Sequence, residues 1–244
     1  MTLNVEPFEE DTEKWDTALA GFAGGSFCHR IGWRSVMEEA LGHQSFWMTA
    51  RDSMGTIAGL LPLVRVRSRL FGDYLVSMPF LNYGGAVGSE EARRLLAEWA
   101  AGKASELGVD LLELRNRRPQ SVDGLTENAR KLTVIKELPD SAETLWEKGL
   151  KAKVRSQVRR PMKEGMEIFF GSELLDDFYG VFSTTMRDLG TPVLPRPFFE
   201  KISKAFDDSS IFAVVRHEGA PVAAACGLSW QGEFEITWAG ASRE

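Results

Sequence analysis

Twice along the 244 residues, a pair of helix-patterned stretches leads into three consecutive strand-like runs. That order constrains the fold more than any short motif does. In the first half, Asp11-Thr12 opens a helical pattern with Trp15, Leu19 and Phe22 on one side, closed by Gly24-Gly25. A second pattern places Ile31, Val36, Ala40 and Leu41 together and stops at Gly42. Strands then read over Phe46–Arg51, Thr56–Arg67 and Tyr74–Met78, with a turn at Asp52-Ser53-Met54-Gly55. Pro62 cannot donate to a ladder, so it marks an edge or a bulge.

The second half repeats the order. The pattern predicts helices over Ala142–Lys163, Glu173–Leu189 and Pro197–Phe206, and strands over Ile211–Arg216, Pro221–Leu228 and Glu233–Trp238. In the last of these, Phe234, Ile236 and Trp238 share one face, opposite Glu233, Glu235 and Thr237. Short strands are also expected over residues 3–8, Val109–Leu114, Leu132–Leu138 and Met166–Phe170, and a long helix from Ser89 to Leu107 stopped by Gly108. The expected class is α/β (α+β), with two similar domains: 1–139 and 140–244, divided where Pro139-Asp140 interrupt the pattern. Nothing in the second half matches the helix Ser89–Leu107 that would cover its meander, so the second domain is expected to be incomplete or to be covered by a partner.

Composition narrows the partners. A net charge of −6 and a pI near 5.3 argue against a DNA partner, so any basic surface is local. No apolar run approaches the roughly 20 residues that span a bilayer, and the acidic start MTLNVEPFEEDTEKW lacks a signal-peptide layout. A cytoplasmic location is the expectation. Cys28 and Cys226 sit in apolar surroundings and read as buried thiols; His29, His43 and His217 form no metal-ligand spacing with them.

Basic side chains concentrate in one helical stretch. Lys148, Lys151, Lys153, Arg155, Arg159, Arg160 and Lys163 lie between Glu147 and Glu164 with no acid among them. Helical spacing aligns Lys148, Lys151, Arg155 and Arg159, and Pro161 should kink or end the helix. In an acidic chain this favours an anionic partner: a phosphate, an acidic glycan or RNA. The alternative is a solvated basic face. Arg187 and Arg196 flank the loop DLGTPVLP, where two guanidiniums suit bidentate phosphate or carboxylate recognition, and otherwise pair with nearby aspartates. Between the third strand and the long helix lies NYGGAVG. Its glycines supply positive φ or close backbone approach, and Tyr83 can touch a substrate or fill core. No GxSxG or HExxH motif is present, and adjacent Cys28-His29 do not make a dyad. Glu233, Glu235 and Asp73 are candidate bases by position only.

Four stretches carry a resemblance: SFCHRIGWRSVMEEALGHQSFW with GTIAGLLPLVRVRSRLFGDYLVSMPFLNYGGAV, KVRSQVRRPMKEGMEI, FYGVFSTTMRDLGTPVLPRPFFEKI, and the terminal WAGASRE. In this order they resemble the FemAB-like acyltransferases, in particular the exopolysaccharide- and exosortase-associated branch, whose members continue beyond WAGASRE. The resemblance implies two acetyltransferase-type (GNAT) domains in tandem, the second stopping short here. It implies transfer of an acyl or aminoacyl group to an amine or hydroxyl of a cell-envelope or exopolysaccharide precursor. The implied acceptor is an anionic sugar-nucleotide or lipid-linked molecule; the implied donor is acyl-CoA or aminoacyl-tRNA, with no tightly bound cofactor. The segment of Arg187 and Arg196 matches the one where relatives hold the acceptor's phosphate, although relatives often carry Tyr where this chain has Phe198-Phe199. The substrate-binding candidates are thus Arg155, Arg159, Arg187, Arg196, Tyr83 and Lys151, with the catalytic residues unassigned. NYGGAVG lacks the GNAT coenzyme A pattern, and Glu90-Glu91 in the next helical turn repel a phosphate. The competing reading is a non-catalytic GNAT-like module that binds an anionic glycan or RNA through the basic helix.

Overall fold

Strand alternation and helix caps set the element boundaries. The computed structural model describes residues 2–120, 122–129 and 132–242, so the Arg243-Glu244 end of WAGASRE lies outside the described residues. The first half runs β1 (Asn4–Pro7), α1 (Thr12–Ala20), α2 (Trp33–Ser35, prolonged by a π turn over Val36–Ala40), β2 (Gln44–Arg51), β3 (Ile57–Ser68) and β4 (Gly72–Val76). A two-residue strand β5 (Val87–Gly88), the helix α3 (Glu90–Leu107) and β6 (Leu111–Glu113) follow. The second half has α4 (Ala142–Thr144, prolonged by a π turn over Leu145–Gly149), α5 (Ala152–Lys163) and β7 (Glu167–Phe170). It ends with α6 (Leu175–Asp188), α7 (Arg196–Ala205), β8 (Ser210–His217), β9 (Ala220–Trp230) and β10 (Glu233–Ala241).

One sheet has the order β1-β2-β3-β4-β6, with β5 pairing β3; the other has the order β10-β9-β8-β7. Both halves therefore share one connectivity, strand–helix–helix–strand–strand–strand, with the opening strand paired to the first strand of the meander. The architecture is mixed α/β with two sheets. Two compact units form. The first comprises Met1–Glu127, Leu194–Ile211 and Gly227–Thr237; the second comprises Asn128–Val193, Phe212–Cys226 and Trp238–Glu244.

Within the first unit, β4 and β6 are parallel and joined through α3, the crossover a parallel pair requires. Ser89 caps α3 by accepting from the Ala92 N–H at 3.2 Å, and Gly108 ends it in the left-handed conformation at φ 61°. Ala92, Leu96 and Ala100 of α3 pack on Met48, Ala50, Leu61, Leu63 and Leu75. Gly59 permits this close approach, since a Cβ there would lie 2.7 Å from the Ala92 Cβ. Pro62 stands opposite Trp47 on β2, while on the other side of β3 the partner changes from β5 at Leu60 to β4 at Val64. The proline thus occupies a gap between two short neighbours, where that side of β3 has a local edge. No described helix is long and apolar enough to cross a membrane.

Two expectations need correction. Leu132–Leu138 forms no strand: Leu132 and Val134 are 90% and 93% exposed, and the run has no ladder partner among the described residues. Ala142–Lys163 is not one helix but breaks at the extended residues Leu150 and Lys151. The Arg155 guanidinium accounts for the break, donating to the carbonyls of Trp146, Glu147 and Leu150 (3.3, 3.2 and 2.6 Å) and so satisfying the end of the preceding turn. Pro161 lies inside α5, which ends two residues later at Lys163. On β10, Phe234 and Ile236 are exposed while Trp238 is buried.

Candidate functional site

The segment between β4 and α3, residues 77–88, holds the most constrained backbone of the first unit. Met78 and Phe80 carry φ values of 56° and 69°, conformations that non-glycine residues adopt at a cost of order 1–3 kcal/mol. At Gly85 a Cβ would lie 1.9 Å from Asn116 Oδ1, so only glycine fits. The surrounding chain fixes this loop by hydrogen bonds. Arg115 Nη1 donates to the Leu81 carbonyl at 2.6 Å, Ser77 Oγ accepts from the Arg115 N–H at 2.7 Å, and the Gly85 N–H donates to the Arg115 carbonyl at 3.0 Å.

His29 reaches the same loop from a 3₁₀ turn over Phe27–His29. Its Nε2 lies 2.9 Å from the Gly85 carbonyl, which only accepts, so Nε2 carries the proton. Its Nδ1, 3.1 Å from Ser26 Oγ, is then the acceptor. Burial pushes the His29 pKa down to about 4, which leaves the ring neutral at ordinary pH. Burial also pushes the neighbouring Cys28 thiol up to about 12, so no thiolate is available there as a nucleophile.

Tyr83 and Asn82 lie toward the surface of the loop. The Arg117 guanidinium lies 4.9 Å from the Tyr83 ring centroid and grips Glu233 with two hydrogen bonds of 3.0 and 2.8 Å. Asn82 Nδ2 donates to Glu235 Oε1 at 2.7 Å, and Thr237 Oγ1 donates to the same oxygen at 3.4 Å. Asp73 is occupied elsewhere: Arg65 holds it in a forked pair that lowers its carboxyl below the usual range, with Arg67 adding to the effect.

In the second unit, Arg155, Arg159, Arg160 and Lys163 lie together on the open face of α5. The acid there is Glu164, 3.0 Å from Arg160 Nε. None of the α5 residues is buried. Arg159 lies 5.2 Å from the Trp146 ring centroid, while Arg155 also serves the carbonyls described above. Lys151 is the N-cap residue of α5, and Lys148 belongs to the preceding π turn. Arg155 and Arg159 lie one turn apart on α5, and the Arg155 N–H donates to the Lys151 carbonyl one turn earlier, while Lys148 lies in the preceding turn. Arg187 ends α6, exposed and 2.9 Å from Asp188 Oδ1; Arg196 opens α7 in the first unit and pairs with Glu200. Phe198 and Phe199 are fully buried, with Phe198 beside Trp33, so they act as core and not as substrate contacts.

Sequence reading missed His29, Arg115 and Arg117 as members of the loop network. The run Arg115-Asn116-Arg117-Arg118 directly after β6 is the signal that pointed there.

The parallel β4–α3–β6 crossover lies beside an antiparallel meander, and that meander is repeated. Solved structures share this fold. A crystal structure of FemX matches 98% of this chain and 81% of its own, with a TM-score of 0.62 at 12% identity. The C-terminal DUF2156 domain of a putative lysylphosphatidylglycerol synthetase from Agrobacterium fabrum matches 96% of this chain and 68% of its own, with a TM-score of 0.50 at 10% identity. No family profile and no curated protein matches the sequence.

Proposed function

We propose that this chain is an acyl- or aminoacyltransferase, moving an acyl group to an amine or hydroxyl of an anionic cell-envelope or exopolysaccharide precursor. The observation that carries this reading is the open, cation-rich face of α5, in a chain of net charge −6 that has the FemX fold. Four cations around one acid suit the phosphates of a sugar nucleotide or a lipid-linked sugar. Arg155, Arg159 and Lys151 would serve that anion on α5. Arg187, in the second unit, and Arg196, in the first, come from the segment that resembles the phosphate-holding part of FemAB-like proteins, and each would meet an anionic group of the acceptor. Tyr83 would bound the acceptor at the constrained loop, and the donor would be acyl-CoA or aminoacyl-tRNA. The shared strand–helix–helix–meander order supports reading 1–139 and 140–244 as two GNAT-like repeats, the second without a counterpart of α3.

The test is calorimetric binding of a UDP-linked muropeptide at two salt concentrations, with Arg159→Ala, Arg187→Ala and Arg196→Ala beside the parent. Loss of a charge-assisted hydrogen bond costs about 1.5–3 kcal/mol, so an engaged arginine lowers affinity roughly tenfold to a hundredfold. Unchanged affinity in all three variants removes the phosphate role. Binding without transfer from either donor class leaves a recognition module and no enzyme.

A further inference from the structure

We infer that Glu235 is the catalytic base of the first unit, taking the proton that the acceptor's amine sheds as it is acylated. The inference rests on the acyltransferase reading and adds to it the group that accepts the proton. Three carboxylates stood as candidates, and their partners separate them. Asp73 is held by Arg65 through both of its oxygens, and Glu233 is held by Arg117 in the same way. A carboxylate neutralised by a guanidinium fork is a poor proton acceptor, because protonation breaks two charge-assisted bonds. Glu235 has no cationic partner among the described residues. Its bonds come from neutral donors, Asn82 and Thr237, and both fall on Oε1. These fix the carboxylate while Oε2 receives no hydrogen bond from a described residue.

The supporting shell explains why the carboxylate stays in place. Asn82 lies between the strained Phe80 and Gly84, in a loop tied down by Arg115 and His29. The charged or titratable groups beside Glu235 are Glu233 on its own strand, Arg117 and Tyr83, and the buried Cys28 thiol. Arg117 is committed to Glu233, so Glu233 adds little repulsion and Arg117 little attraction at Glu235.

In the step, the acceptor's amine nitrogen attacks the carbonyl carbon of the donor ester or thioester. The new N–C bond forms as the bond from that carbon to the donor's oxygen or sulfur breaks. The nitrogen's proton passes to Glu235 and from there to the departing alkoxide or thiolate, which leaves the carboxylate as it began. A positioned base contributes about 10²–10⁴-fold to such a step.

The experiment measures initial rates with acetyl-coenzyme A or an aminoacyl-tRNA as donor and a UDP-linked muropeptide as acceptor. Glu235→Gln keeps an oxygen for Asn82 but cannot take a proton. Its kcat should fall by about a hundredfold or more, KM for the acceptor should hold, and the acid limb of the pH–rate profile should disappear. Glu235→Asp keeps the charge but draws it back from Asn82, so it should retain the acid limb at reduced kcat. It also carries the test if the glutamine variant does not fold. Parental kcat with an unaltered pH profile in the glutamine variant overturns Glu235 as base and leaves the transferase reading standing. A parent that transfers from neither donor overturns both.

Discussion

The loop over residues 77–88 and helix α5 are both dense in polar groups, yet the two regions spend them differently. Around the loop, His29, Arg115 and Arg117 are committed to carbonyls, a ring and a carboxylate of the same unit. On α5 no residue is buried, and Val154, Val158 and Met162 stand in solvent beside the cations. The contrast separates two jobs that a count of arginines would merge. Guanidiniums in the first region hold the backbone in shape; on α5 Arg155 does the same for the preceding turn, while Arg159 and Arg160 stand on an exposed face.

Substitutions can break this contrast, beginning with the aromatic support of the first unit. Trp33 is fully buried, packs 4.8 Å from the Phe206 ring, and donates to the Phe27 carbonyl at 2.8 Å. Trp33→Ala should lose about 3–5 kcal/mol in denaturant unfolding; a loss as small as that of a surface residue would show that this region is not tightly packed.

A pH series sharpens the same comparison. The folded pKa of His29 lies near 4, below its ordinary 6.5, because burial disfavours the charged ring. As pH falls through 6.5 the unfolded chain takes up a proton that the folded protein refuses until pH 4. The stability contribution is therefore complete above pH 6.5 and is lost as pH falls toward 4, with a slope of up to about 1.4 kcal/mol per pH unit. Chemical denaturation at several pH values should give this slope in the parent and a flatter one in His29→Gln. Equal slopes would contradict a buried neutral His29.

At the small end stands Val158→Ala on the exposed face of α5, which should change stability by no more than about 0.5 kcal/mol. A larger loss, read by thermal unfolding, would mean that α5 is packed and not presented.

Much of the fold was legible because its signals are local. Ser89 and Gly108 bracket α3 as their chemistry requires, and Gly42 ends the π turn of α2 with a positive φ. The turns at Glu218-Gly219 and Gln231-Gly232 adopt the positive φ values that tight hairpins need. Leu132–Leu138 misled because alternation signals a strand only where a neighbouring strand exists to complete the ladder. The break at Leu150 was hidden since Arg155 reads as one more surface cation, and its three carbonyl partners are visible only in the fold. The loop network was the least legible part of the candidate site. His29 meets Gly85 across 56 positions of chain, and Arg117 meets Glu233 across 116. Residue types announced neither contact, whereas the basic run of α5 was apparent as composition alone.

The place of α7 bears on how the molecule can be dissected. Counted by repeats, α7 belongs to the second half, yet Phe198, Phe199 and Phe206 at its core lie in the first unit, where Phe198 and Phe206 pack beside Trp33. A piece cut at residue 139 would keep the first sheet intact but present Trp33 and the nearby Phe80 to water, as a sticky patch. For expression of a smaller form, Leu194–Ile211 and Gly227–Thr237 would have to travel with the first half, joined after Glu127 through new linkers.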